Sequence, residues 1–354
     1  MKQTVLLTRF SALGDVAMTI PVIYSACAAY PAVHFVMLTR PFMTSVFVNA
    51  PANLSVVGVD VKRPEYSGVL GLRRLAKEVK ADYRIDLYID LHNVLRTQIL
   101  GTWLRLEGVP CVRLSKPRSE RKTLTREHGK QLRPLRSQIE LYADVFAKAG
   151  LPLTDTFSGL YGSRRQAPAE KFAAITAPRA EGEHWIGIAP FAAHPQKVYP
   201  PEQMEEVVRM LQAEADKGMP LRIFLFGGGA EEQRVLDGWA SRYPAVTSLA
   251  GKKYGFAAEL ALLNHLDLLV SMDSGNMHLG AIAGTPVISI WGATHPFCGF
   301  LARGQSEDDA IQLPLECRPC SVFGNKPCRR GDLRCLRAIE PAQIFDKVIS
   351  HLKA

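Results

Sequence analysis

Strand-sized apolar runs alternate with helix-patterned stretches along this chain, and the alternation starts, lapses and starts again. TVLLTRF (Thr4 to Phe10), HFVMLT (His34 to Thr39), LSVVGVD (Leu54 to Asp60), RIDLYIDL (Arg84 to Leu91) and VPCVRLS (Val109 to Ser115) read as strands. Helical patterns lie between them at Asp15 to Tyr30, where Pro21 kinks the helix or limits its first turns, at Leu70 to Val79 and at Leu95 to Leu106. After Gly150 the pattern lapses, and residues 162–184 are polar and rich in Ala, Pro, Arg and Glu. It restarts with WIGIAP (Trp185 to Pro190), a helix over Pro201 to Ala215, LRIFLFGG (Leu221 to Gly228) and a helix over Glu231 to Arg242. A short strand around Val246, a helix near Phe256 to Asn264, the apolar runs LDLLV (Leu266 to Val270) and PVISIW (Pro286 to Trp291), and a helix from Pro341 to His351 complete it. Strands that alternate with helices pair in parallel and carry helices on both faces.

The pattern predicts two doubly wound α/β domains: residues 1–165, a linker at 166–184, a second domain at 185–340, and a C-terminal helix at 341–354. Ligands of such sheets sit outside the carboxyl ends of the strands, so a cleft between the domains is the expected site. The 354 residues suffice for two domains, and 47% hydrophobic content supplies their cores and excludes global disorder. No apolar run reaches the ~18 residues of a membrane span. The opening MKQTVLLTRFSALGD meets Arg9 and Asp15 too early for a signal peptide. A cytoplasmic protein is therefore expected. The net charge of +9, from 43 Lys and Arg against 34 Asp and Glu, points to an anionic partner.

The densest polar motif is MDSGNMHLG, Met272 to Gly280, which leaves a strand's carboxyl end and opens a helix. Asp273 or Ser274 is placed to cap that helix. The free N–H groups of its first turn make an anion site, and Gly275 lets a phosphate approach the backbone. Capping alone accounts for Asp273 and Ser274 but leaves His278 beside the Gly275–Asn276 pair unexplained. The helix dipole contributes only ~0.3–1 kcal/mol, so another cation is needed. Lys197, in PFAAHPQKVYP after an earlier strand, is the candidate, though a loop lysine is more often merely solvated.

FGGGAEEQ (Phe226 to Gln233) lacks the Lys-Ser/Thr of a phosphate loop and the GxGxxG spacing. Its Glu231 suits ribose hydroxyls, or simply the positive end of the helix it opens. In RFSALGDVAMTIP the single Gly14 disfavours a nicotinamide enzyme. Asp15 there is either an N-terminal helix acid or a general base for a hydroxyl nucleophile. IDLHNVLRTQ places Asp90, His92, Asn93 and Arg96 at another strand end, where they can meet an acceptor; a lone His in that position is usually structural. The run from Arg113 to Arg136, with Arg118, Arg121 and Lys122, is a solvated loop or a holder of phosphorylated or carboxylated groups. It lacks the aromatic residues that single-stranded nucleic acid needs, so nucleic acid is not an expected partner. Cys317, Cys320, Cys328 and Cys335 have one CxxC spacing only, which leaves a structural zinc or four reduced thiols open. Cys27, Cys111 and Cys298 read as buried free thiols.

Together these residues resemble glycosyltransferase family 9, the lipopolysaccharide heptosyltransferases. The likeness covers nearly the whole chain. It rests on SALGDVAMTIPVI, IDLHNVLR, KVYPPEQ, FGGGAEEQ, the Cys cluster ending RCLRAI and, most specifically, VSMDSGNMHLGAIAGTPVISIWGATHP. The resemblance implies a GT-B fold, two Rossmann-like domains with an acceptor on the first and a nucleotide-sugar on the second. It implies inverting, metal-independent transfer of a heptose from an ADP-linked donor to an anionic lipopolysaccharide acceptor, with no cofactor, at the inner face of the inner membrane. Asp15 would be the general base, Lys197 would bind donor phosphate, Glu231 the ribose, and Asp273, Ser274, Gly275, Asn276, Met277 and His278 the sugar and diphosphate. Asp90, His92, Arg96, Arg118, Arg121 and Lys122 are the expected acceptor contacts. The sequence departs from the family at Asn276, where Pro or Leu is common, at Tyr199, where Trp is common, and at Ala192 and Ala193, where hydroxyls occur. Those departures bear on which sugar and nucleotide are used. A GT-B transferase with another donor, or a nucleotide-sugar epimerase, is the alternative reading.

Overall fold

The structure is a computed structural model that describes residues 3–353. The chain forms two compact units. One takes the residues up to Pro117 together with Ser137–Ser158; the other takes Arg118–Arg136 together with the residues from Gly159 on. Two parallel-sheet α/β units of this kind are the GT-B pattern.

Unit 1 is built on strands β1 (Thr4–Thr8), β2 (His34–Thr39), β3 (Leu54–Gly58), β4 (Leu87–Asp90) and β5 (Cys111–Arg113). They lie in the order β3-β2-β1-β4-β5, and every pairing is parallel, with Leu6 opposite both Val36 and Tyr88. All of β1 is buried, which is why TVLLT shows no alternation: helices cover both faces. Helices α1 (Leu13–Ala17) and α2 (Thr19–Ala29) meet at Met18. Pro21 sits in the first turn of α2, where its missing N–H has no intrahelical partner to lose. Helix α3 (Gly68–Tyr83) buries Leu72, Leu75, Ala76 and Val79, a single stripe at helical spacing. They pack against Leu6, Val36 and Tyr88, each fully buried aliphatic contributing ~1.5–3 kcal/mol. Helix α4 (Leu95–Leu106) joins the same layer. A Cβ on its Gly101 would lie 2.8 Å from Tyr88 Cε1, so glycine is what lets α4 approach β4.

Unit 2 contains β6 (His184–Ala189), β7 (Leu221–Leu225), β8 (Val246–Ser248), β9 (Leu268–Met272), β10 (Val287–Ile290) and β11 (Ala310–Ile311). The order is β11-β10-β9-β6-β7-β8, again all parallel. Its helices are α5 (Arg118–Leu124), α7 (Pro201–Asp216), α8 (Ala230–Arg242), α9 (Phe256–His265), α10 (Gly275–Ala283), α11 (Arg334–Arg337) and α12 (Pro341–Lys353), while α6 (Gln138–Lys148) belongs to unit 1. Met204, Val207, Val208 and Leu211 of α7 and Ile344 and Val348 of α12 close one core over Ile186, Ile188, Val270 and Ile288. No helix among the described residues is long and apolar enough to cross a membrane.

Three segments differ from the sequence reading. Residues 166–184 are not a linker but part of unit 2. Phe172 is buried and meets Trp185 edge-on at 6.0 Å. The Asn264 amide accepts from the backbone N–H groups of Gln166 and Ala167, both at 2.9 Å, and Arg179 pairs with Asp267 at 2.6 Å. The last crossing from unit 1 to unit 2 therefore falls after Ser158, not at 165. Helix α6, absent from the reading, starts at a capping box in SQIE. Ser137 Oγ accepts from Glu140 N at 3.1 Å, and the Glu140 carboxylate accepts from Ser137 N at 2.6 Å. The basic run does not stay a loop of the N-terminal half, because Arg118–Arg136 packs into unit 2.

Candidate active site

Strand order reverses once in each sheet, between β1 and β4 in unit 1 and between β6 and β9 in unit 2. At such a point the loops leave in opposite directions and open a crevice. The motifs that carry Asp15, His92, Lys197 and Asp273 fall at these two points.

In unit 1 the turn after β1 leads into α1, with Asp15 in its first turn. Asp15 Oδ2 accepts from Arg9 Nη2 at 2.8 Å and from Ala12 N at 3.1 Å. Its side chain keeps 22% of its exposure, against 8% for Arg9. Arg9 Nη1 also donates to Leu91 O at 2.9 Å, which ties the ends of β1 and β4 together. One carboxylate oxygen of Asp15 is thus fixed, and among the described residues Oδ1 makes no hydrogen bond. His92 lies beside it, with Nε2 3.4 Å from Ser11 Oγ. Burial, then the charges of Arg9 and Lys116, push its pKa down to about 3, so the imidazole is neutral.

Asp90 is a correction. It is fully buried, and its Oδ1 accepts from the backbone N–H of His92 at 2.9 Å and of Asn93 at 2.8 Å. Burial raises its pKa against the pull of those N–H groups. It shapes the turn that presents His92 and has no surface to offer an acceptor. Arg96, two residues beyond that turn's Val94, is exposed.

In unit 2 the loop after β6 carries Lys197 to Asp273 at the end of β9, Nζ to Oδ2 2.9 Å, with 15% and 7% of the side chains exposed. Thr294, after β10, donates to the same Oδ2 at 2.7 Å. The stem of Lys197 runs under the backbone of Gly324, where a Cβ would lie 2.5 Å from Cγ and Cδ. Ser274 occupies the cap position of α10 but makes no side-chain bond to the helix; its hydroxyl lies 3.3 Å from Ser271 Oγ. The expected side-chain cap from Asp273 or Ser274 is therefore absent, and the first N–H groups of α10 are left for an anion. Gly275 and Asn276 are half-buried, and His278 is buried. Met277 is fully buried in the unit and offers no donor contact, which corrects that expectation. Burial is the cause: the helix turns residue 277 toward the sheet while 274–276 stay at its open end.

Glu231 is exposed in the first turn of α8. It lines a cavity of about 670 Å³ with Phe191, Ala192, Pro195, Gly229 and Arg337. Its neighbour Glu232 is committed to Gly228 N at 2.7 Å, which leaves Glu231 and Glu202 as the carboxylates available to that cavity.

The basic run is anchored rather than free. The Arg121 guanidinium lies 5.3 Å from the Phe300 ring and 5.5 Å from the Phe323 ring. Lys130 donates to Glu316 O at 2.9 Å and Pro319 O at 3.1 Å, Arg329 pairs with Glu127 at 3.3 Å, and Leu135 N donates to Phe297 O at 2.9 Å. Arg121 is consumed in this packing, while Arg118 and Lys122 are exposed. These three belong to unit 2.

All seven cysteines are free thiols. Cys27 and Cys298 are buried as expected, and Cys111 is half-buried. Cys317, Cys320, Cys328 and Cys335 line one cavity of about 20 Å³, and burial pushes Cys335 up to about 11. Among the described residues no group of three or more His, Cys, Asp or Glu is set out to hold a metal ion.

Arg9 and Thr294 escaped the sequence reading. Arg9 directly follows β1 and Thr294 lies four residues past β10, and each holds a carboxylate by one oxygen. The signal was their position one to four residues past an apolar run.

A family described as glycosyltransferase family 9 (heptosyltransferase) matches residues 72–326. Lipopolysaccharide heptosyltransferase 1 of Pseudomonas aeruginosa is 26% identical over 332 residues, covering 89% of this chain and 85% of that protein. A glycosyltransferase of family 9 from Veillonella parvula superposes with a TM-score of 0.73 at 20% identity, over 99% of this chain and 98% of its own. The E. coli heptosyltransferase WaaC, solved with ADP, gives 0.67 at 18% identity over 99% and 100%. At these identities the superpositions speak for the fold.

Proposed function

The chain belongs to glycosyltransferase family 9, and from that premise we propose that it transfers a heptose from ADP-heptose to the inner core of lipopolysaccharide, with inversion and without a metal ion. That it is a glycosyltransferase follows from the family. The donor and acceptor are our reading, supported by the names of its relatives and by the ADP carried by a structural neighbour.

The observation that carries the reading is the Lys197–Asp273 pair at the β6/β9 reversal, beside the uncapped N-terminus of α10. A diphosphate needs cationic charge and oriented N–H donors, and both are set there before any ligand arrives. Glu231 on its cavity suits the ribose hydroxyls. In the transfer, the acceptor oxygen attacks the anomeric carbon as the bond from that carbon to the diphosphate oxygen breaks. The hydroxyl proton passes to Asp15 Oδ1, the oxygen that Arg9 and Ala12 leave open. Lys197 and the α10 N–H groups take up the charge on the departing diphosphate. One displacement of this kind inverts the anomeric centre. Neutral His92 and cationic Arg96 face the acceptor.

The test is calorimetric binding of ADP, UDP, GDP and CDP to the wild type and to Glu231→Ala, followed by transfer from ADP-heptose to heptose-deficient lipopolysaccharide in the presence of EDTA. Selective ADP binding that weakens in the variant, and transfer that survives EDTA, are expected. Preference for another nucleotide moves the donor to a different sugar. Asp15→Asn is expected to bind ADP as the wild type does and to lose ~10²–10⁴-fold in turnover.

A further inference from the structure

The solvent face of α3 and α4 in unit 1 carries large apolar side chains. Val69, Leu70 and Leu106 are 53%, 73% and 71% exposed. Single exposed apolar residues are ordinary; these gather around an indole. Trp103 Nε1 donates to Val69 O at 3.1 Å, and the Arg73 guanidinium lies 5.1 Å from the Trp103 ring centroid. Leu106 stands one turn beyond Trp103 on the same helix face. The ion pairs Arg74–Glu78 at 2.7 Å and Lys80–Glu107 at 3.6 Å neutralise themselves. Arg73 and Arg105 have no carboxylate partner among the described residues, so the patch keeps net positive charge.

We propose that this face docks unit 1 onto an anionic lipid bilayer. Val69, Leu70 and Leu106 enter the boundary between headgroups and acyl chains, Trp103 sits at headgroup level, and Arg73 and Arg105 meet the lipid phosphates. Charge decides between a bilayer and a protein partner. The centre of a protein interface is depleted of charged residues, whereas here unpaired guanidinium groups interleave with the apolar ones and complement lipid phosphate. The purpose of the docking rests on the proposed lipid-linked acceptor. Helix α4 carries the patch at its Leu106 end and reaches the His92 turn at its Leu95 end, about 16 Å away at 1.5 Å per residue. An acceptor hydroxyl held at that turn therefore stands about one helix length from the lipid surface.

The test is co-sedimentation of the full chain with vesicles of phosphatidylglycerol and phosphatidylethanolamine, against phosphatidylcholine alone. The wild type is expected to bind the anionic vesicles and to be released by salt. Val69→Ser/Leu70→Ser/Leu106→Ser, all exposed positions, is expected to bind at least about tenfold more weakly. Arg73→Gln/Arg105→Gln is expected to lose the preference for anionic vesicles. Wild-type protein that stays in the supernatant, or a triple variant that binds as well as the wild type, overturns the proposal. So does a wild type that dimerises through this face, read as a dimer in analytical ultracentrifugation that the triple substitution dissolves. Vesicle binding in a protein that fails to transfer heptose would sink the functional reading and leave the docking face standing.

Discussion

Replacing Lys197 by methionine keeps the apolar stem under Gly324 and removes only the charge. At 2.9 Å from Asp273 Oδ2, an effective dielectric of ~20 gives an attraction of about 6 kcal/mol. Desolvation of both groups cancels part of that, and Thr294 keeps one hydrogen bond to the stranded carboxylate. A net loss of ~2–3 kcal/mol is the figure left for breaking the pair. For a unit of this size that is a fall of about 4–12 °C in the melting of unit 2. In the proposed donor site the same substitution removes a charge-assisted hydrogen bond to the diphosphate, worth ~1.5–3 kcal/mol, so ADP should bind about 10- to 150-fold more weakly. The two effects part in the double variant Lys197→Met/Asp273→Asn. With no stranded carboxylate, it should recover more than half of the lost melting temperature and none of the lost ADP affinity. Calorimetry reads both quantities on one sample. A melting point that moves by less than about 2 °C, a double variant less stable than the single, or unchanged ADP binding would refute the role assigned to the pair.

Other perturbations follow from the same geometry. His92 and His295 have folded pKa values pushed down by burial and neighbouring cations to about 3 and about 4, below the unfolded value near 6.5. The unfolded chain binds more protons than the folded one below pH 6.5, so stability falls as pH drops through that window, by up to ~1.4 kcal/mol per pH unit for each histidine. Urea titrations at pH 7 and pH 5 should show this, with His92→Gln and His295→Gln each flattening the slope. Gly324 has φ +73, and its Cβ position is occupied by Lys197 Cγ and Cδ; Gly324→Ala should cost ~1–2 kcal/mol for the left-handed backbone and weaken ADP binding by displacing the ammonium. Arg121→Ala removes stacking on Phe300 and Phe323, worth ~1–2 kcal/mol, and should quicken proteolytic cleavage within Arg118–Arg136 without altering ADP affinity.

The alternation of apolar runs made the two parallel sheets legible, because period and run length are local properties. TVLLT and WIGIA could be placed without any knowledge of what they pair with. The positions of the candidate site residues were legible for a related reason. A parallel strand delivers its following residue to one edge of the sheet, so Asp15, His92, Lys197 and Asp273 could be located from strand ends alone. What the sequence hid was long-range. Nothing near Arg121 announces the two rings from residues 300 and 323 that hold it, and nothing in the Ala- and Arg-rich stretch 166–184 announces Asn264 and Asp267, which turn it into part of unit 2. Asp90 and Met277 were misread because a polar or sulfur side chain at a strand end looks available until burial is known. Local spacing also cannot show which oxygen of a carboxylate is already engaged, and that is what singles out Oδ1 of Asp15.

The second unit is assembled from two stretches of chain, Arg118–Arg136 and the residues from Gly159 on, with Ser137–Ser158 returning to the first unit between them. The polypeptide therefore passes from one unit to the other three times. A hybrid enzyme made by joining halves of two relatives at a single junction would supply Phe300, Phe323, Glu316 and Pro319 from one parent and their partners Arg121 and Lys130 from the other. Unit 2 can be transplanted whole only as a three-junction exchange that carries Arg118–Arg136 along with the sheet it packs into.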